Sequence, residues 1–321
     1  MTKNTPNKKF KPLVNRENIS FLFTFITCAL VFFLSLFASD KIAHSVKSAL
    51  SLCANVIIPS VFPFIVISDF LYAYMYFSPK DLIGGAFEKL FKINRAGLYA
   101  FVLGILCGFP LGVKCTSELY KSGKISRDEA ERLIGFCNNT GPAFLVSGIG
   151  LGLRKNANDG LVLYFVMVLS AVITGIVFSR GRHLQKGCSE NLRQNSFSFT
   201  ASIKNAGVNT LHICSYLTFF ACIVGMLRNT IGENYTYLSI IPFLEVGSAT
   251  SILSKTRLLS PRLSLALSSF AVGFSGFSVH LQALSFISDT DIRTGRYFIM
   301  KLFEGVLSFM LTLIFTALFK L

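Results

Sequence analysis

Gly104-Ile-Leu-Cys-Gly-Phe-Pro-Leu-Gly-Val-Lys114 and, beyond a short charged stretch, Phe136-Cys-Asn-Asn-Thr-Gly-Pro-Ala-Phe144 are apolar segments interrupted by glycine, proline and amides. An interrupted helix in hydrocarbon leaves backbone N–H and C=O groups without partners. That is tolerated only where they are buried in protein or line a wet cavity. Breaks of this kind mark candidate solute sites. The rest of the chain reads as the scaffold that holds them at membrane depth.

Composition supports this reading. Of 321 residues, 52% are hydrophobic, 33 are Phe and 15% are charged, with a mean hydropathy of +0.58. A soluble domain carries about a quarter charged residues, so the chain reads as a polytopic membrane protein. The net charge of +15 sits on Lys and Arg between apolar spans, as in cytoplasmic loops that meet anionic lipids, and argues against nucleic acid. The cysteines, at positions 28, 53, 107, 115, 137, 188, 214 and 222, lie mostly in or beside apolar spans without CxxC spacing. They read as small apolar residues, and neither a metal site nor a cofactor is expected.

Working outward, residues 1–18 form a basic cytoplasmic tail, with Lys3, Lys8, Lys9, Lys11 and Arg16. Residues 19–45 hold a first transmembrane helix and loop, because the apolar run Ile19 to Ala38 is too long for a signal-peptide core. Residues 46–180 form a first half, 181–204 a polar basic linker and 205–321 a second half. In the first half, the span 46–77 carries Pro59 and Pro63 and should be bent. Ser78-Pro79-Lys80-Asp81 opens an amphipathic interfacial segment that runs to Arg95. The apolar stretch 97–113 is too short for a straight span that contains its break, so a re-entrant hairpin or two half-helices fits better. Gly104, Gly108 and Gly112 recur at four-residue steps and also permit close helix packing. The charged 114–132 stretch has a capping box at Ser126 and Glu129 and reads as a solvated helix. A span at 133–153 contains the Asn138 to Pro142 break, and 160–179 is an ordinary span.

The second half echoes this order. After a span at 206–227, Pro242 to Ser248 interrupts 237–253 and Gly273 to Gln282 breaks 263–287. A last span covers 297–319, with Lys301 and Glu304 near one end. The expected fold is an all-α polytopic membrane protein of about seven to nine transmembrane segments, including two interrupted or re-entrant helices, with two halves in an inverted repeat. The basic loops then fall on the cytoplasmic side, except for the one holding Lys255, Arg257 and Arg262.

Candidate solute-binding residues are Gly108, Pro110, Gly112 and Lys114 at the first break and Asn138, Asn139, Thr140, Gly141 and Pro142 at the second. In the second half they are Ser275, Gly276, Ser278, His280 and Gln282. Amides and hydroxyls would hydrogen-bond a solute, those at 138–142 serving otherwise as interhelical glue, open backbone would present N–H groups, and Lys114 and His280 would add positive charge. Glu245 is the candidate ion- or proton-coupling carboxylate, the alternative being a structural pair with Lys or His. Asp69 is either an intramembrane carboxylate or an interfacial one. No GxSxG, HExxH, Walker A or paired-carboxylate spacing occurs, so an enzyme is not expected.

Gly108 to Lys114, the Ser-Glu-Leu-Tyr and Glu-Arg-Leu-Ile that follow, and Phe136 to Pro142 resemble the YlbJ-type sporulation membrane proteins, within the nucleoside-recognition or Gate-domain group. The later Phe-Leu-Glu-Val-Gly and Gly-Phe-Ser-Gly-Phe-Ser-Val-His-Leu-Gln blocks resemble that family's second half. Cys137 and Asn139 depart from its pattern, standing where small hydroxyl residues are common. The resemblance implies endospore formation in a Firmicute and movement of dipicolinic acid, a small planar dianion, out of the mother cell across the outer forespore membrane. A nucleoside permease is one alternative. Another is a non-transporting scaffold of a sporulation complex that docks through the linker and the 78–95 segment. The partners expected are the anionic solute and the bilayer, with self-association as a homo-oligomer left open.

Overall fold

A computed structural model of the chain describes residues 39–74, 82–184 and 198–318. The expected basic tail and first span, residues 78–81 of the amphipathic segment and the core of the linker lie outside these. Among the described residues every regular element is helical.

Helix α1 (Ser39–Leu52) passes through a π-helical turn (Cys53–Ile57) into α2 (Ile58–Tyr74), and the runs on either side of the join are bent by 43°. Pro59 and Pro63 each remove a backbone N–H from the ladder here, which is why the expected bend is present. Helix α3 (Leu82–Phe91) does more than lie along the interface. Phe87 and Phe91 turn inward onto Phe101 and Phe136, with ring centroids 4.8 to 6.0 Å apart, while Ile83 and Leu90 stay exposed.

Helices α4 (Gly97–Leu106) and α5 (Leu111–Lys121) pack against each other across the short break 107–110. Helix α6 (Arg127–Cys137) opens with the expected capping box, in which Glu129 N–H donates to Ser126 Oγ and Ser126 N–H to Glu129 Oε2. Arg127 and Asp128 keep part of the expected solvation, but Glu129, Glu131 and Arg132 are buried. Arg132 is fully buried and donates to the carbonyls of Phe91 and Lys92, each at 2.7 Å, and to Ser179 Oγ. A guanidinium supplies five N–H donors in one plane, so it can close two chain ends at once. Nor does 133–153 form one span: its first residues end α6, and after residues 138–142 the chain continues as a π-helical segment (Ala143–Arg154).

Helix α7 (Ala157–Ser179) is capped by Asn156, and α8 (Phe199–Ile231) by Ser198, so residues 199–204, read as linker, are helical. Helices α9 (Tyr235–Leu244) and α10 (Val246–Lys255) pack together around the single residue Glu245. Helices α11 (Pro261–Phe274) and α12 (Gly276–Ile287) are separated only by Ser275, and α13 (Gly295–Leu318) packs along α11.

Four stretches among the described residues are long and apolar enough to cross a bilayer: α7, α8, α11 with α12, and α13. The bent α1–α2 pair makes a fifth. The expected seven to nine included a first span that lies outside the described residues, and within them the count is lower than expected. The difference arises partly because the broken pairs α4/α5 and α9/α10 consist of helices about 15 Å long, half a hydrocarbon core of about 30 Å.

Candidate functional site

The breaks come together in pairs. Gly108 has φ +88°, and a Cβ built there would lie 2.6 Å from Gly141 N; Cβ atoms on Gly104 and Gly112 would lie 1.8 and 2.0 Å from the carbonyl oxygen of Cys137. The glycine steps therefore serve close approach, but to the carbonyl end of α6 and not to another helix surface. Pro110, preceded by a cis peptide, caps α5, and Pro142 starts the π-helical segment. In the second half, Ser275 (φ +77°) and Gly276 (φ +65°) turn the chain against the other break: a Cβ on Gly276 would lie 3.2 Å from Leu244 O and 3.3 Å from Glu245 Cα. Helix α12 in turn packs on α5.

Behind the first pair lies a buried polar cluster. Asn138 Nδ2 donates to Tyr297 Oη at 3.0 Å, and Tyr297 Oη is 2.8 Å from His280 Nδ1. With the phenolic oxygen accepting from the amide, the simplest pattern has its O–H donating to Nδ1, which places the histidine proton on Nε2. Lys301 Nζ donates to Asn138 O and to Glu304 Oε2, each at 3.0 Å. Asn139 turns its amide onto Phe136 O at 2.7 Å, and Gln282 Nε2 reaches Ser278 Oγ at 3.4 Å. Several buried atoms have no hydrogen-bond partner among the described residues: Asn138 Oδ1, Asn139 Oδ1, Thr140 Oγ1, His280 Nε2, Gln282 Oε1 and Glu304 Oε1. Unpartnered buried polar atoms are costly in a dry interior. Six of them cluster here around two helix breaks, among side chains that also bond helix to helix, as Asn138 does with Tyr297 and Lys301.

Asn138 and His280, chosen from the sequence in different halves, thus share one partner. Tyr297, Lys301 and Glu304 were not among the candidates. The available signal was a Lys and a Glu three residues apart in an apolar span, hence on one helix face.

Two candidates have other partners. Lys114 Nζ lies 2.8 Å from Asp69 Oδ1 and 3.9 Å from Glu118 Oε1, so its charge is offset by carboxylates on α2 and on its own helix. Among the described residues Glu245 pairs with neither Lys nor His: it caps α10, with Oε1 accepting from Gly247 N–H at 2.6 Å and Oε2 from Ser248 N–H. Both oxygens are used by backbone amides at a helix start, where negative charge is favoured.

A larger space lies beside the breaks. A cavity of about 970 Å³ opens between α1, the two π-helical segments, α8 and α10. His44, Ser48, Ser51 and Asn55 line it from α1 and the π-helical turn that follows, at the four- and three-residue steps of one helix face. Ser248, Ser251 and Lys255 line it from α10, with Lys47, Ser147 and the Arg228–Glu233 pair at its walls. Lys255, which disagreed with the topology, faces this cavity, and Arg262 donates to Leu313 O. The cavity touches Ala143, just past Pro142, and Gly247, just past Glu245, so it meets a break of each half. Gly108, Thr140 and Gly141 line a second, apolar cavity of about 30 Å³. Among the described residues no group of three His, Cys, Asp or Glu side chains could hold a metal ion.

The chain is similar to the sporulation integral membrane protein YlbJ of Bacillus subtilis (strain 168), with 27% identity over an alignment of 309 residues that covers 81% of this chain and 74% of that protein. No family model matches the chain, and no solved structure matches it.

Proposed function

We propose that this chain, similar over 81% of its length to a sporulation integral membrane protein, carries dipicolinate, a small planar dianion, out of the mother cell across the outer forespore membrane. One observation carries this reading: the 970 Å³ cavity between the halves is lined by Lys47, Lys255, His44 and a set of serine hydroxyls and amides, and it reaches a break of each half. Arg228 brings no net charge because Glu233 lies 2.8 Å away, so the lysines set the sign of the cavity. A desolvated dianion needs that charge together with hydrogen-bond donors, and broken helices supply open backbone amides beside it. In this reading α4/α5 and α9/α10 are re-entrant pairs of two inverted halves, and alternating access moves one broken pair against the other around the cavity.

The hydroxyl and amide lining, Ser48, Ser51, Asn55 and Ser147, would also suit a nucleoside. The test is complementation of a deletion strain with the Lys47→Glu/Lys255→Glu variant. Spores low in dipicolinate, with the compound retained in mother cells and the protein present at normal level, support the reading. Normal loading of spores would overturn it. A scaffold would behave differently, failing on deletion of residues 183–200 and tolerating the cavity variant.

A further inference from the structure

The Lys301–Glu304 pair lies within the membrane-spanning helix α13 with both side chains at 0% exposure. Burying two charges is costly, and their attraction offsets that cost only where the remaining polar atoms also find partners. Here that condition is not met. Glu304 Oε1 accepts no hydrogen bond from the described residues, and the ammonium's second contact is a backbone carbonyl, that of Asn138, at 3.0 Å. As a device for holding α13 in place, well-packed apolar residues would serve as well. What the pair does that apolar residues could not is tie the charge state of α13 to the backbone of the 138–142 break. That break bears directly on Gly108.

We propose that Lys301 and Glu304 form a proton-operated latch on this break and make the protein a proton-coupled carrier. With the pair charged, the ammonium holds the Asn138 carbonyl and the break is shut. A hydronium ion gives a proton to Glu304 at Oε1, the new O–H bond forming as one O–H bond of the hydronium breaks and a water molecule leaves. The pair then changes from net zero to net +1. A lone ammonium is unfavourable in a dry interior, so α13 and the break part and the ammonium reaches water. Release of the same proton on the other side resets the latch. Lys301 Nζ itself fills the space between that carbonyl and that carboxylate, so in this proposal the pair is worked by protons and not by sodium. Other groups near the pair are Cys137 at the end of α6, His280 on α12 and Tyr297 on α13 itself. Helices α7 and α11 bring Ser170 and Ser269 to Ser308, while their Asp159 and Arg262 are engaged by Arg154 and Leu313 O.

This inference rests on the transport reading, and two measurements keep the two apart. In proteoliposomes of the full chain, an inward proton gradient should raise dipicolinate uptake severalfold and a sodium gradient should not. Glu304→Gln should lose that response while still exchanging labelled for unlabelled dipicolinate. Stimulation by sodium, or an unchanged proton response in Glu304→Gln, would overturn the latch. Failure of the wild-type chain to exchange dipicolinate at all would overturn the transport reading alone. The latch is then decided by alkylation of Cys107, beside the break, read by mass spectrometry. Wild-type labelling should fall below that of Glu304→Gln at mildly alkaline pH and converge with it in mild acid. A ratio that does not change with pH would overturn the latch.

Discussion

Gly112 stands so close to the carbonyl oxygen of Cys137 that a methyl group in place of its hydrogen would lie 2.0 Å from that oxygen. The neighbour is backbone at the end of α6 and has no rotamer into which to withdraw. Overpacking a core costs about 1–3 kcal/mol, occasionally more, and a fixed backbone obstacle places Gly112→Ala at the upper end. The variant should give little folded protein or a markedly lower melting temperature in detergent. A melting curve that superimposes on the wild type would show that the two breaks do not touch.

Tyr297 is the shared partner of Asn138 and His280. Tyr297→Phe keeps the ring and leaves an amide and an imidazole nitrogen without the hydroxyl. An unsatisfied buried polar group costs about 1–3 kcal/mol, so the variant should melt lower and transport more slowly. His280→Gln in the Tyr297→Phe background should then add less than it does alone, which a double-mutant cycle measures.

Lys255 faces the cavity from α10. If it contacts the bound dianion, Lys255→Met should raise the concentration for half-maximal uptake by about tenfold, equivalent to about 1.4 kcal/mol. The maximal rate should change less, because the residue lies away from the breaks. An unchanged half-saturation value would remove Lys255 from the site.

Asp128, outside the spans, joins the start of α6 to α13. Partial burial works to raise its pKa, but the hydrogen bond from Arg296 and the charges of Arg132 and Arg296 outweigh this and hold it below the ordinary value of 3.8. A carboxyl depressed by folding contributes stability above the unfolded value and loses it as pH falls through the folded value. The melting-temperature gap between wild type and Asp128→Asn should therefore be constant from neutral pH down to about that ordinary value. Below it the gap should shrink. A gap that widens in acid would reverse the sign of the linkage.

Much of this arrangement was legible because local rules decide it. Ser126 and Glu129 form a capping box by spacing alone, and Pro59 with Pro63 bends the span whatever packs around it. Glycine, proline and paired amides betrayed the breaks, since none of them continues a helix at ease in an apolar run. What stayed hidden depends on which helices meet. Arg132 reads as a surface charge until Phe91 O and Lys92 O are seen beside it. Glu245 reads as an unpaired intramembrane charge until α10 is seen to begin at the next residue, offering it two amides. The polar face formed by His44, Ser48, Ser51 and Asn55 was open to helical-step reading, but only the opposed Lys255 shows what it faces.

Reconstitution tests the central claim most directly. The purified full chain in liposomes should take up labelled dipicolinate saturably, above empty liposomes and above the Lys47→Glu/Lys255→Glu variant, with excess uridine leaving the rate unchanged. Folded protein that takes up no dipicolinate, or that takes up uridine in its place, would contradict it.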